Sequence, residues 1–95
     1  YSSAACWLMR RDVHERVGGF DPAFHPAYFE DVDFVRRLAL LGGRCVVVGE
    51  STVVHRRGSS TTSTAVPDIR PQRAELLRRW PEISWTKPPP QRFYT

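Results

Sequence analysis

Cysteine and methionine are scarce in this chain, two and one among 95 residues, and no stretch approaches the ~20 consecutive apolar residues that a membrane-spanning helix needs. Each shortage excludes something. Cys6 and Cys45 lie in separate apolar runs, with no Cys-x-x-Cys spacing and no nearby histidine, which argues against a thiolate metal site or a redox pair. They read as buried, reduced thiols, which fits a cytosolic compartment. No charged-then-apolar leader with a cleavage site opens the chain, so it reads as soluble. There is no internal repeat. No initiator methionine precedes Tyr1, and the apolar run Ala4-Ala5-Cys6-Trp7-Leu8-Met9 follows without a leading turn or cap, so the sequence reads as a piece of a longer protein.

Hydrophobic residues make up 41% and charged residues 25%, ordinary for one small globular domain with a modest core. The net charge of +4 is uneven. Residues 1 to 55 hold six Lys/Arg against seven Asp/Glu, and residues 56 to 95 hold eight against three. Such a basic C-terminal part suits nucleotide phosphates, anionic lipid or nucleic acid, and charge alone does not choose among them. A nucleic-acid binder is disfavoured by the lack of a recognition helix or an aromatic stacking motif.

Residues 3 to 10 read as a short buried strand. Asp12 then reads as the cap of a short helix, with Glu15 three positions on and Gly18-Gly19 ending it. Pro22 and Pro26 mark a loop over residues 20 to 28. From Asp31 to Leu41 the apolar set Phe34, Val35, Leu38, Ala39 and Leu41 recurs at helical spacing until Gly42-Gly43. Residues 44 to 49 and 52 to 55 read as strands. Residues 58 to 64 lack large apolar groups, and 59 to 67 read as a mobile linker or loop. A last helix is expected from Pro71 to Trp80, with Leu77 and Trp80 packed inward and its arginines outward, before a tail with Pro88-Pro89-Pro90.

Chemistry concentrates in Tyr28-Phe29-Glu30-Asp31-Val32-Asp33-Phe34, which places three carboxylates in four positions where the helical run begins. Acids at a helix start complement the positive end of its dipole, and Asp31 could serve simply as the cap. The alternative is a general base: a hydroxyl is a poor nucleophile until its proton leaves, and a carboxylate within hydrogen-bond reach can take that proton.

Taken in order, Ala5-Cys6-Trp7-Leu8-Met9-Arg10-Arg11, Val17-Gly18-Gly19-Phe20-Asp21, the acidic element with Arg37 and Gly42, and Val53-Val54-His55 closely resemble the C-terminal half of bacterial inverting glycosyltransferases of family two. Within that family the pattern looks most like rhamnosyltransferase-like members that build cell-wall and surface polysaccharides. The resemblance covers residues 1 to 60. It implies an α/β fold, the C-terminal part of a Rossmann-like A-type glycosyltransferase domain. It also implies that Asp31 is the base in a single in-line displacement at an anomeric carbon, with inversion, and that Glu30 and Asp33 are acceptor-side or supporting groups. The donor would be a UDP- or dTDP-sugar and the acceptor a saccharide or a lipid-linked one, with no nucleic acid involved. The family's Asp-x-Asp element, which holds Mg²⁺ or Mn²⁺ on the donor diphosphate, belongs to the N-terminal half. The chain by itself is therefore expected to be inactive.

On this reading residues 1 to 58 form the acceptor-binding, base-carrying part, 59 to 67 a linker, and 68 to 95 a basic helix and Pro-rich tail. His55 is a candidate ligand of the metal, or else an edge histidine. Arg56 and Arg57 could pair with the diphosphate, or form a basic turn in water. Trp7 could stack on an acceptor sugar or pack in the core. His14 and His25 read as surface residues. Arg78-Arg79-Trp80 is similar to the end of the Gln-x-x-Arg-Trp element of processive polysaccharide synthases, but Leu76 stands where the glutamine would be, so it is set aside. The basic helix suits the cytoplasmic face of a membrane that carries lipid-linked acceptors. The competing class is a binding module of the same fold, without catalysis, that docks on lipid or protein.

Overall fold

The first helix, α1, runs over Arg11–Val17 and stops where Gly18 turns left-handed at φ 93°, its N–H bonded to the carbonyl of His14. Only glycine takes that conformation without a Cβ penalty. Asp12 does not cap α1. The helix starts one residue earlier, so Asp12 falls in the first turn and pairs with Arg10 at 2.8 Å. A 3₁₀ turn over Pro22–Phe24 follows, capped by Asp21, whose carboxylate accepts the N–H of Ala23 at 2.9 Å. The computed structural model describes residues 4–56, 68–83 and the backbone of 93–94. The expected linker at 59 to 67 and Arg57 lie outside the described residues.

Helix α2 spans Glu30–Leu40, within a residue of the span read from its period. The glycine pair closes it: the N–H of Gly42 bonds to Ala39 and that of Gly43 to Leu38, each at 3.0 Å, which satisfies two terminal carbonyls. Of its apolar set, Phe34 is buried, Val35 and Leu38 are half-buried, and Ala39 and Leu41 are exposed. Helix α3 spans Arg70–Arg79, with proline in its first turn.

Strand structure is sparse. Val47–Val48 (β1) pairs in parallel with Phe93–Tyr94 (β2), Val47 opposite Phe93 and Val48 opposite Tyr94. The strands expected at 3 to 10 and 52 to 55 are not seen among the described residues, and that at 44 to 49 shrinks to two residues. A strand needs a neighbour to accept its backbone hydrogen bonds, and residues 4–10 and 52–56 pair with none here. The Rossmann-like sheet is thus not among the described elements. Cys6 and Cys45 are exposed free thiols, not buried ones, since none of the described residues covers them.

The core is small and gathers on α2. Phe24, Phe34 and Leu76 are essentially inaccessible, and Val17 nearly so. Phe34 meets Phe20 at 5.2 Å between ring centroids, Trp7 at 5.7 Å and His14 at 6.2 Å. From the other side α3 adds Leu76, whose full burial contributes roughly 1.5–3 kcal/mol relative to exposure.

Candidate functional site

The acidic element begins on an unusual piece of backbone. Tyr28 and Phe29 are both left-handed, at φ 80° and 68°, although neither is glycine. Such residues cost on the order of 1–3 kcal/mol each and persist only where the surroundings hold them. Here the surroundings are the first turn of α2, where the N–H of Asp33 bonds to the carbonyl of Phe29 at 3.0 Å. The turn delivers Glu30, Asp31 and Asp33 in succession, and each carboxylate meets a different environment.

Asp31 is half-buried, and its oxygens are aimed by backbone donors. Oδ2 accepts the N–H of Ala4 at 3.2 Å, and Oδ1 that of Val32 at 2.8 Å. The position before α2 is Phe29, without a side-chain cap, so Asp31 is not the capping residue. Among the described residues no cation pairs with it.

Glu30 stands at a cleft of about 370 Å³ lined by Ala4, Phe20, Pro22, Phe24 and His25 among others. Its Oε2 is buried and without a hydrogen-bond partner. A buried carboxylate oxygen without a donor is costly. Asp31 does not itself line the cleft; it is joined to the lining through the N–H of Ala4.

Asp33 has the opposite character. It is completely inaccessible, and it accepts from Arg37 Nε at 2.9 Å and Trp80 Nε1 at 2.9 Å, with Arg79 Nη1 at 3.5 Å. It faces α3 and is closed off from solvent. Arg37 reaches further, donating to the carbonyls of Val17 at 2.8 Å and Gly19 at 2.7 Å, where the end of α1 is negative. Trp7 is half-buried and packs against Phe20 and Phe34.

The expectation that the α3 arginines face outward holds for Arg78 and fails for Arg79. Arg79 turns inward: it bonds Asp21 at 2.6 Å and Glu75 at 2.7 Å, and its guanidinium lies 5.1 Å from the centre of the Phe24 ring. Buried Leu76, with Leu77 only half-buried, is the apolar anchor. Sequence reading missed Asp21 and Arg79 as site residues. Asp21 was visible as the acid of Gly-Gly-Phe-Asp, but nothing local marked Arg79 among its neighbouring arginines. The Ala23 N–H, and then Arg79, hold the Asp21 carboxyl below its ordinary value.

His55 and Arg56 are exposed, and His14 and His25 are exposed as expected. Among the described residues no group of three or more His, Cys, Asp or Glu side chains is placed to hold a metal ion, so the described residues alone do not build a metal site. None of the described helices is long and apolar enough to cross a membrane.

No family profile and no solved structure matches the chain. Curated proteins do. The chain is 41% identical over 59 residues, 62% of its own length, to the N-acetylglucosaminyl-diphospho-decaprenol L-rhamnosyltransferase of Mycobacterium tuberculosis, in two strains. It is 33% identical over 66 residues, 70% of its length, to the O-antigen biosynthesis protein RfbC of Myxococcus xanthus. The resemblance read from the motifs is therefore present in alignment, and the chain is similar to rhamnosyltransferase-like glycosyltransferases. It spans 19% of the mycobacterial relative and 5% of RfbC.

Proposed function

We propose that this chain is the acceptor-side, base-carrying part of an inverting glycosyltransferase that moves a sugar from a nucleotide-diphosphate donor to an acceptor hydroxyl in cell-wall or surface polysaccharide synthesis. The observation that carries the reading is the division of labour among three neighbouring carboxylates: Asp33 sealed by donors, Glu30 lining a cleft, and Asp31 aimed by two N–H groups with no cation paired to it among the described residues. An acceptor seated in the cleft would lie against Glu30 with its reacting hydroxyl by Asp31. As the acceptor oxygen attacks the anomeric carbon, its proton passes to Asp31, while the bond to the donor oxygen breaks with its electron pair leaving on the diphosphate. One displacement inverts the anomeric centre.

A divalent metal, Mg²⁺ or Mn²⁺, would neutralise the departing diphosphate when bound. His55 would supply one ligand to it, the others coming from residues beyond those described, and Arg56 and Arg57 would add positive charge. The basic α3 suits peripheral contact with a membrane that displays a lipid-linked acceptor.

The test is direct. The complete protein is offered UDP- and dTDP-sugars with a polyprenyl-diphosphate-linked saccharide, and the product's anomeric configuration is read by NMR. Transfer with inversion is expected; transfer with retention overturns the mechanism. Donor or acceptor binding with no transfer overturns the enzyme reading in favour of a binding module.

A further inference from the structure

We propose that Arg79 and Trp80, at the end of α3, are positioning residues for the acidic element: they set the geometry of Asp31 and of the cleft wall through Asp33 and Asp21. The inference rests on the glycosyl-transfer reading for its catalytic consequence, and on the geometry alone for its mechanical one.

Four residues tie α3 to the back of the site. At its start Gln72, itself nearly buried, donates from Nε2 to the carbonyl of His25 at 3.1 Å. In the middle Leu76 is fully buried. At its end Arg79 reaches Asp21, and Trp80 Nε1 reaches Asp33. Asp21, Phe24 and His25 also line the cleft, so α3 grips one wall of it from behind. On the other side Asp33 is two residues from Asp31 on the same helical turn. Its N–H closes the strained Tyr28-Phe29 turn and its carboxylate is fixed by Trp80 and Arg37.

The consequence is physical. Asp33 tolerates complete burial only because charge-assisted donors surround its carboxylate, and the indole N–H is one of two at 2.9 Å. Removing that donor invites water to Asp33. The first turn of α2 then loses the fixed point that holds two left-handed residues against their own preference, and Asp31 shifts with it. Displacements of ~1 Å at a reacting group can cost ~10²-fold in rate even when the change lies away from the chemistry.

Trp80→Phe in the complete protein deletes the indole N–H donor and leaves a smaller aromatic ring, and Arg79→Lys keeps the charge but cannot span Asp21 and Glu75. Rates are taken per mole of folded protein, counted by donor-binding stoichiometry. The expected result is kcat about 10- to 100-fold lower for each variant, with donor KM unchanged. Hydrogen exchange should be faster at the amides of Val32 and Asp33 while α1 amides keep wild-type rates. Unchanged exchange at Val32 and Asp33 overturns the positioning role, and so does kcat within twofold of wild type. If the wild-type protein transfers no sugar, the glycosyl-transfer reading fails by itself, and the exchange measurement still decides whether α3 holds the acidic turn.

Discussion

Arg37 donates from Nη2 to the carbonyl oxygen of Gly19 at 2.7 Å, joining the middle of α2 to the glycine pair that ends α1. The same guanidinium reaches Val17 and buried Asp33, so one side chain ties the Gly-Gly-Phe-Asp segment to the acidic element. Arg37→Met should lower unfolding stability by about 2–4 kcal/mol, because it strands part of a buried carboxylate's bonding. Arg37→Lys should recover only a fraction, since an ammonium cannot serve three acceptors in a planar fork. Urea denaturation checks both.

Asp31→Asn in the complete protein should reduce transfer by ~10²- to 10⁴-fold. The amide keeps the shape and one acceptor oxygen but takes up no proton. Donor affinity should stay near wild type, while the thermal midpoint falls slightly because one of the two N–H groups on the carboxylate loses its acceptor. A rate above a third of wild type, with chemistry limiting, removes Asp31 from the role of base.

Gly42 and Gly43 should fail for different reasons. At Gly42, φ is 81° and nothing crowds a Cβ, so Gly42→Ala should cost about 1 kcal/mol and Gly42→Asn less. At Gly43 a Cβ would sit 2.7 Å from Leu38 Cγ and 3.3 Å from the Leu38 carbonyl oxygen, so Gly43→Ala should cost about 1–3 kcal/mol through displaced packing. Thermal unfolding of the single variants separates the two.

Acid should destabilise the chain through carboxylates on and around α3. Arg78, then Arg79, pull Glu75 down to about 2 from an ordinary 4.5, and Asp21 is lowered from 3.8. Folded values below unfolded ones mean that these groups stabilise fully above the unfolded values. That contribution is lost as pH falls through the folded ones. The thermal midpoint should therefore be flat above about pH 5 and fall from about pH 4.5 towards pH 2. Asp21→Asn should make the fall shallower.

His55→Ala should leave the thermal midpoint unchanged, since the side chain is exposed. If His55 supplies a metal ligand, the variant needs more Mg²⁺ or Mn²⁺ to reach half-maximal rate, and donor affinity falls in parallel. An unchanged metal titration with normal turnover assigns His55 to the surface.

The three helices were legible because their signals are local. Apolar period, glycine stops and Pro71 set the spans to within one residue of Glu30–Leu40 and Arg70–Arg79, and to within two of Arg11–Val17, whose start was read from Asp12 as its cap. Strands were not, because pairing is settled at a distance: Val47 finds Phe93, while equally apolar Val53 and Val54 stay exposed. The acidic element was legible as a cluster, but its division into a sealed, a cleft-lining and an aimed carboxylate was not. That division depends on Trp80, 47 residues beyond Asp33, and on Ala4, 27 residues before Asp31. Arg79 was misread for the same reason, its partner Asp21 being 58 residues away.

Tyr28 and Phe29 bring the chain into the acidic helix in the conformation natural to mirror-image residues. A semisynthetic protein carrying a D-amino acid at position 28 or 29 should consequently be at least as stable as the natural one, whereas proline at either position, fixed near φ −65°, cannot close the turn. Covalent chirality and tertiary structure are thus opposed at this point. If the first turn of α2 loosens, these two residues are where it will unwind, which places any hinge of the acidic element at its threshold and not within it.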